Sequence, residues 1–424
     1  MLTEADRSLC DRDPDIPGLR ALLDDATLAQ WLGAQSGESG TPRVQCDYLR
    51  YKAGVNCIAR LRIATPNGER LAYAKAFNRE GGDKLDKALA KHAVPGAVAT
   101  RPLLFAKDMV VIREFPNDAR LPSLSRLGDP GQRAGLLARL FKGLDGWDEP
   151  QWEILSYKPE RRVAARFSNA AGEQLAVKFY REDEFDRIRK YRKRLADDDG
   201  VPVARWLGGS KAHCALVFAW LDGRPLSAVG RAGRKAALIS TGQALAQFHA
   251  SEQPGLAKRN RAKATRKLIS VASGLENILP EMSAPATRLA NSVGRWHRRQ
   301  AREKIPVHGD FDATQAVVAG SVAKLIDSDE AHLGNAVSDL ACFRARAELA
   351  SILDPDRAPD PEQEMEILLE GYRSQRDVSL EQLPAYTAWH LLHLLHAPFR
   401  SRAPDWPART EQLLERCQES WREA

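Results

Sequence analysis

Two stretches of this chain repeat one another, and that repetition limits its possible folds more than any other feature. The first copy reads LRYKAGVNCIARLRI (49–63), a polar stretch TPNGER, then LAYAKAF (71–77). The second reads LSYKPERRVAARFSN (155–169), then AAGEQ, then LAVKFY (175–180). Tyr51-Lys52 aligns with Tyr157-Lys158, Ala59-Arg60 with Ala165-Arg166, and Lys75 with Lys178. β-Branched and aromatic residues in alternation argue strands, and TPNG and NAAG argue the turns of hairpins. Each copy then enters a charged helical stretch, 83–92 and 183–197, and leaves it for two further strands. These strands lie in PLLFAKDMVVIREF (102–115) and VARWLGGSKAHCALVFAWL (203–221). Each copy is thus expected to run strand, strand, strand, helix, strand, strand.

From about 229 the period changes to that of helices, in RKAALISTGQALAQFHA (234–250), RKLISVASGLENILPEM (266–282), APATRLANSVGRWHRRQA (284–301) and most of 361–421. Only 305–328 interrupts them, with short apolar strands. A β-rich part followed by a helix-rich part with one embedded hairpin predicts a two-lobed α+β architecture. The expected divisions are 1–148, a duplicated N-lobe-like unit; 149–227, a β-rich lobe; and 228–424, a helical lobe.

The chain has 424 residues, 43 % of them hydrophobic, enough for packed cores. No apolar run reaches the roughly 18–20 residues of a membrane span, and the N-terminus lacks a basic-then-apolar leader. Six scattered cysteines form no CxxC pair, so reduced thiols and a cytoplasmic setting are expected. The net charge of +7 gathers in 256–267 and 295–304. Solvated helix faces account for such runs, attraction of anionic phosphates being the functional alternative; without a recognisable binding module, no nucleic-acid partner is expected.

The chemistry sits in 307–340, VHGDFDATQAVVAGSVAKLIDSDEAHLGNAVSDL. His308-Gly309-Asp310 comes first, Gln315 stands five residues past Asp310, and an apolar strand AKLI delivers Asp327. Phosphoryl transfer to a hydroxyl needs one carboxylate to orient the acceptor and accept its proton, and oxygen ligands to hold Mg²⁺ against the phosphates. A D-x-x-x-x-N loop followed by a strand ending in Asp meets both needs in kinases. Asp310 would be the base, and Gln315 and Asp327 the metal ligands.

This segment resembles the catalytic loop of the aminoglycoside phosphotransferase and choline kinase-like family, whose pattern is HGDxxxxN, an I-D strand end, then DLA. The resemblance implies the protein-kinase-like fold over roughly 150–424, preceded by the extra N-lobe-like domain. It implies ATP and Mg²⁺ as cofactors and a small-molecule hydroxyl as acceptor. His308 would brace the loop, and Asp339 in Ser338-Asp339-Leu340-Ala341 would fix its backbone. Phe218-Ala219-Trp220-Leu221, followed by Asp222-Gly223-Arg224-Pro225-Leu226, resembles the hinge strand and its exit. Phe218, Trp220 and Leu221 are therefore candidate nucleotide contacts, as is Lys178, the strand lysine expected at the α/β-phosphates. No glycine run precedes Lys178; Lys158, Arg161 and Arg162 of YKPERR are expected to supply charge there instead. Glu184 and Asp186 are the nearest helical carboxylates for Lys178, though both fall early. Gln315 replaces the usual asparagine, as in maltokinase-like sugar kinases, and tilts the acceptor toward a sugar, aminosugar or aminoglycoside-like compound. The same replacement motivates the alternative of a nucleotide- or metabolite-sensing pseudokinase.

Several residues stand outside that frame. Lys75 occupies the first-copy place of Lys178 and is read as structural or relict, a second effector site being the alternative. Arg113–Asp118 is either an edge-strand exit or a wall of the acceptor cleft. His390, His393 and His396 fit a core helix better than a metal site, although His393 or Asp405-Trp406 could reach an acceptor. Asp329 is left between metal ligand and neighbour. The acceptor and the oligomeric state are not encoded in any motif.

Overall fold

The computed structural model describes the chain except residues 1, 37–40, 66–67, 91–101, 193–199, 254 and 302–303. The middle of the first turn (66–67) and the ends of the two expected helices (91–92 and 193–197) therefore lie outside the described residues. The chain forms two compact units. The first comprises Met1–Arg187, Leu207–Phe218 and Phe399–Asp405; the second comprises Ile188–Trp206, Ala219–Pro398 and Trp406–Ala424.

The first unit holds both copies of the repeat. Strands β1 (Arg43–Lys52), β2 (Asn56–Thr65), β3 (Gly68–Phe77), β4 (Leu103–Phe105) and β5 (Val110–Glu114) form a sheet in the order β1-β2-β3-β5-β4. Strands β6 (Gln151–Lys158), β7 (Arg162–Ser168), β8 (Gln174–Tyr180), β9 (Trp206–Ser210) and β10 (Ala215–Ala219) repeat it as β6-β7-β8-β10-β9. The register repeats as well: Lys75 pairs with Ile58 and Lys178 with Ala164, each seven residues past the aligned tyrosine. The helices Gly82–Ala90 and Glu182–Arg192 occupy the same place in each copy.

Strand alternation buries Val163, Ala165 and Phe167 of β7 with Leu175, Val177 and Phe179 of β8. The helices Pro122–Gly128 and Pro130–Leu140 cover that face with Leu124, Leu127, Leu136, Leu137 and Leu140. Ile58 and Tyr73 of the first sheet belong to the same core. The copies thus share one hydrophobic interior, and the two helices that join them were not read in the sequence. Among the described residues, no helix is long and apolar enough to cross a membrane.

The second unit is helical around two small sheets. Helices Arg231–Ala250 and Pro361–Arg373 cross at glycines: a Cβ on Gly371 would lie 2.0 Å from the Ile239 carbonyl oxygen, and one on Gly242 2.1 Å from that of Leu368. Any side chain there would force the helices apart. The strand β11 (Arg224–Pro225) pairs with β13 (Ala316–Ala319), which forms a hairpin with β14 (Val322–Leu325). Strand β12 (Ile305–Val307) pairs with β15 (His332–Gly334). The chain order of this unit, β12, turn, hairpin, β15 and the long helix Ala336–Leu353, frames the segment 307–340.

Candidate active site

Asp339, in the first turn of helix Ala336–Leu353, organises the loop that carries Asp310. Its carboxylate accepts from the backbone N–H of His308 at 2.6 Å, from that of Gly309 at 2.8 Å and from His249 Nε2 at 3.0 Å. His249 ends helix Arg231–Ala250, and its Nδ1 lies 2.9 Å from the Tyr372 hydroxyl. Burial raises the Asp339 pKa, but the His249 hydrogen bond and charge, with the backbone donors, outweigh it and bring the value to about 2. Gly309 adopts φ +82°, and a Cβ there would sit 2.5 Å from the Glu330 carbonyl oxygen. The glycine is thus required both by its backbone conformation and by the space.

His308 is fully buried and its Nε2 lies 2.8 Å from the Ile326 carbonyl oxygen. That contact ties the loop to the strand end that delivers Asp327. The hairpin does the rest: Ile326 N–H donates to the Gln315 carbonyl at 2.8 Å, extending the β13–β14 pairing by one step. Gln315 and Asp327 therefore emerge at the same end of the hairpin. Asp327 sits in the left-handed region at φ +58°, a conformation aspartate tolerates better than most residues. Asp329 lies in the following turn and is buried.

Asp310 itself is partly exposed, and its Oδ1 accepts from Arg346 Nη2 at 2.7 Å. Arg346 Nε lies 3.7 Å from Asp312. Sequence reasoning missed Arg346. It stands seven residues past Asp339, two turns along the same helix face, and that spacing was the available signal.

In the first unit, Lys178 lies on β8 with its ammonium 5.6 Å from the ring centre of Phe218, which is buried in β10. Arg162 opens β7 opposite Tyr180. Glu184, one expected partner of Lys178, lies 3.5 Å from Arg161 and 3.7 Å from Arg181. Trp220 and Leu221 follow β10 in the second unit and are half-buried.

The first copy reaches the YKPERR turn directly. Lys75 Nζ donates to both carboxylate oxygens of Glu160 at 2.9 Å, and Arg50 approaches the same group at 3.5 Å. Glu160 is buried at φ +56°. Asp118 accepts from the Glu160 N–H at 2.8 Å and from the Tyr157 hydroxyl at 2.9 Å. Burial, first, raises the Asp118 pKa, and these donors only partly oppose it. At 1 % exposure Asp118 acts as an internal clamp on the turn.

Removing the Lys75 amine strands a buried carboxylate, which costs about 2–4 kcal/mol when one partner of a buried pair is lost and a weaker one remains. Lys75→Ala should lose that much stability in denaturant melts, and Lys75→Ala combined with Glu160→Gln should regain more than half of it. A double variant as unstable as the sum of the single ones would show that the pair is not coupled.

The three histidines of HLLHLLH do not gather. His390 Nε2 lies 3.1 Å from the Ser338 hydroxyl, His393 packs edge-on to Trp389, and His396 Nε2 meets the Val271 carbonyl. Trp406 is buried in its own unit. Among the described residues, no three His, Cys, Asp or Glu side chains group as a metal cage. The donor set of Gln315 and Asp327 nonetheless fits Mg²⁺, which takes few protein oxygens and completes its shell with phosphates and water.

Residues 143–356 match the profile of the phosphotransferase enzyme family. No curated protein matches the chain. Among solved structures, an ethanolamine kinase of Plasmodium vivax is 12 % identical with a TM-score of 0.52, covering 69 % of this chain and 89 % of that one. An amicoumacin kinase in complex with AMP-PNP, Ca²⁺ and Ami is 14 % identical with a TM-score of 0.50, covering 69 % and 93 %. At these identities the likeness bears on the fold, which is the kinase-like fold expected from the sequence.

Proposed function

This chain belongs to the phosphotransferase enzyme family, a small-molecule kinase group, and from that premise we propose that it moves the γ-phosphate of ATP to a hydroxyl of a sugar-type acceptor. The acceptor class includes sugars, aminosugars and aminoglycoside-like compounds. The observation that carries the reading is the anchoring of the Asp310 loop. Three donors on Asp339 and the His308–Ile326 contact fix it beside the hairpin end that bears Gln315 and Asp327.

Asp310 receives the acceptor hydroxyl, aligns it for in-line attack and takes up its proton, with Arg346 holding the carboxylate in place. The Gln315 amide oxygen and the Asp327 carboxylate would hold Mg²⁺, which when bound neutralises charge on the phosphate oxygens. Lys178 and Arg162 are assigned to the phosphates, and Phe218, Trp220 and Leu221 to the base. Division into 1–148, 149–227 and 228–424 gives the nucleotide and acceptor roles to the last two segments.

The test is phosphate transfer from ATP across a panel of sugar-type alcohols, repeated with Asp327→Ala. Transfer should require Mg²⁺, and the variant should need at least about tenfold more of it, or lose turnover, because a hard-cation site of two protein oxygens loses its only carboxylate. Nucleotide binding with no transfer to any acceptor would instead favour a sensing protein built on the same fold.

A further inference from the structure

A cleft of about 430 Å³ opens in the second unit beside the Asp310 loop, within the roughly 300–1,000 Å³ usual for small-molecule sites. It shares walls with the catalytic segment. Gly334, Asn335 and Ser338 line it, as does His332, whose Nδ1 would lie 3.0 Å from a Cβ on Gly309, next to Asp310. The charge of its lining is one-sided. Lys258, Arg259 and Arg261 face it, and among the described residues no carboxylate lines it. Among the described residues, none of these three cations has a carboxylate partner. Among the described residues, Arg261 is held by the backbone carbonyls of Gln300 and Ala301, which fix its place without supplying a full negative charge.

Two helices also begin at the cleft. Asn260 caps helix Arg261–Ser273 and Asn335 caps helix Ala336–Leu353. Both present the positive end of a helix dipole to it. The imidazoles of the wall add no competing negative charge. His297 stacks on Trp389 with ring centres 4.0 Å apart, and its buried Nδ1 has no hydrogen-bond partner among the described residues. Burial, then the Arg261 and Arg259 charges, push its pKa down to about 3, so it is neutral at pH 7 and adds a polar group without a charge.

We infer that this cleft takes an acceptor alcohol that also carries an oxyanion, a carboxylate or a phosphate, held by Lys258, Arg259 and Arg261 while its hydroxyl meets Asp310. The inference rests on the reading of Asp310 as the acceptor base and narrows it. A cationic aminosugar or aminoglycoside would place ammonium groups against three cations and two helix N-termini, and among the described residues lining the cleft there is no carboxylate to receive them. An acidic sugar meets complementary charge at every one of these positions.

The experiment uses the full chain with ATP and Mg²⁺ and a matched set of acceptors: a neutral hexose, its uronic acid, its 6-phosphate and its 2-amino analogue. One of the acidic sugars should exceed the neutral one in kcat/KM by about tenfold or more, the amino analogue should be poorest, and the better acid identifies carboxylate or phosphate as the anchor. Arg259→Glu and, separately, Lys258→Glu should each lower kcat/KM for that acid by about tenfold and reverse its advantage over the amino analogue. Both positions are exposed, so neither change disturbs a core. Direct titration of the acids, without ATP, reads the cleft apart from the chemistry. Arg259-dependent binding of an acid without transfer supports the anionic cleft and removes the transferase reading. Transfer that favours the neutral or amino sugar, with the ranking unmoved by Arg259→Glu, overturns the cleft assignment and leaves Asp310 standing. Failure of every acid to bind or react also overturns it.

Discussion

Asp310→Asn should lower kcat by about 10²–10⁴-fold, the usual contribution of a positioned general base, with little change in nucleotide affinity or thermal stability. The amide keeps the size of the carboxylate, and its oxygen can still accept from Arg346 Nη2, which now spans 2.7 Å to Oδ1. The loop geometry comes from Asp339 and His308, which the substitution leaves alone. What is lost is the capacity to take a proton from the attacking hydroxyl. Steady-state turnover beside a thermal melt and a nucleotide titration reads the three effects separately. Wild-type turnover in the variant would remove Asp310 from its role. A collapse of stability would show that its pairing with Arg346 is structural in the main.

The sequence made local and periodic features legible. Alternation in IARLRI and VAARF set the strand faces, and the repeated Tyr-Lys and Gly-Glu steps set a shared register. His308, Asp310, Gln315, Asp327 and Asp339 lie within one stretch, so motif spacing could place them together. Pairs that close over long chain separations left no such trace. Lys75 and Glu160 are 85 residues apart; the repeat marks Lys75 as the structural or relict counterpart of Lys178, but nothing local names its partner, and only the fold pairs it with the buried Glu160. The helices over 122–140 were overlooked because no signal of the repeat continues into them, although Pro at the first turn and Asp129 at the cap are helix-start features. The cations at 258–261 were visible as a charge run. The sequence could not tell that they face a cleft with no carboxylate among its described lining residues, because that depends on which helices pack around β15.

Asp339 should be the position least tolerant of change in the catalytic segment. Truncation by Asp339→Ala strands His249 and the backbone N–H groups of His308 and Gly309 in a buried setting, at about 3–5 kcal/mol in all. Asp339→Asn is the more informative variant. Its single carbonyl can serve the donors at one carboxylate position, and its NH₂ then faces a donor at the other. It should lose intermediate stability, and turnover should fall with it because the loop that aims Asp310 loosens. The pH dependence separates the charge from the shape. Asp339 has a folded pKa of about 2 against an ordinary 3.8. Because the folded value is the lower one, the charged carboxylate contributes stability that is fully present above about pH 4 and disappears as the pH falls through about 2. At 1.36 kcal/mol per pH unit, that contribution is about 2–3 kcal/mol. The wild-type advantage over Asp339→Asn in urea melts should therefore shrink steadily between about pH 4 and 2. A constant advantage across that window would mean that Asp339 holds the loop by shape alone, and that the ionised carboxylate is not what His249 and the two backbone donors stabilise.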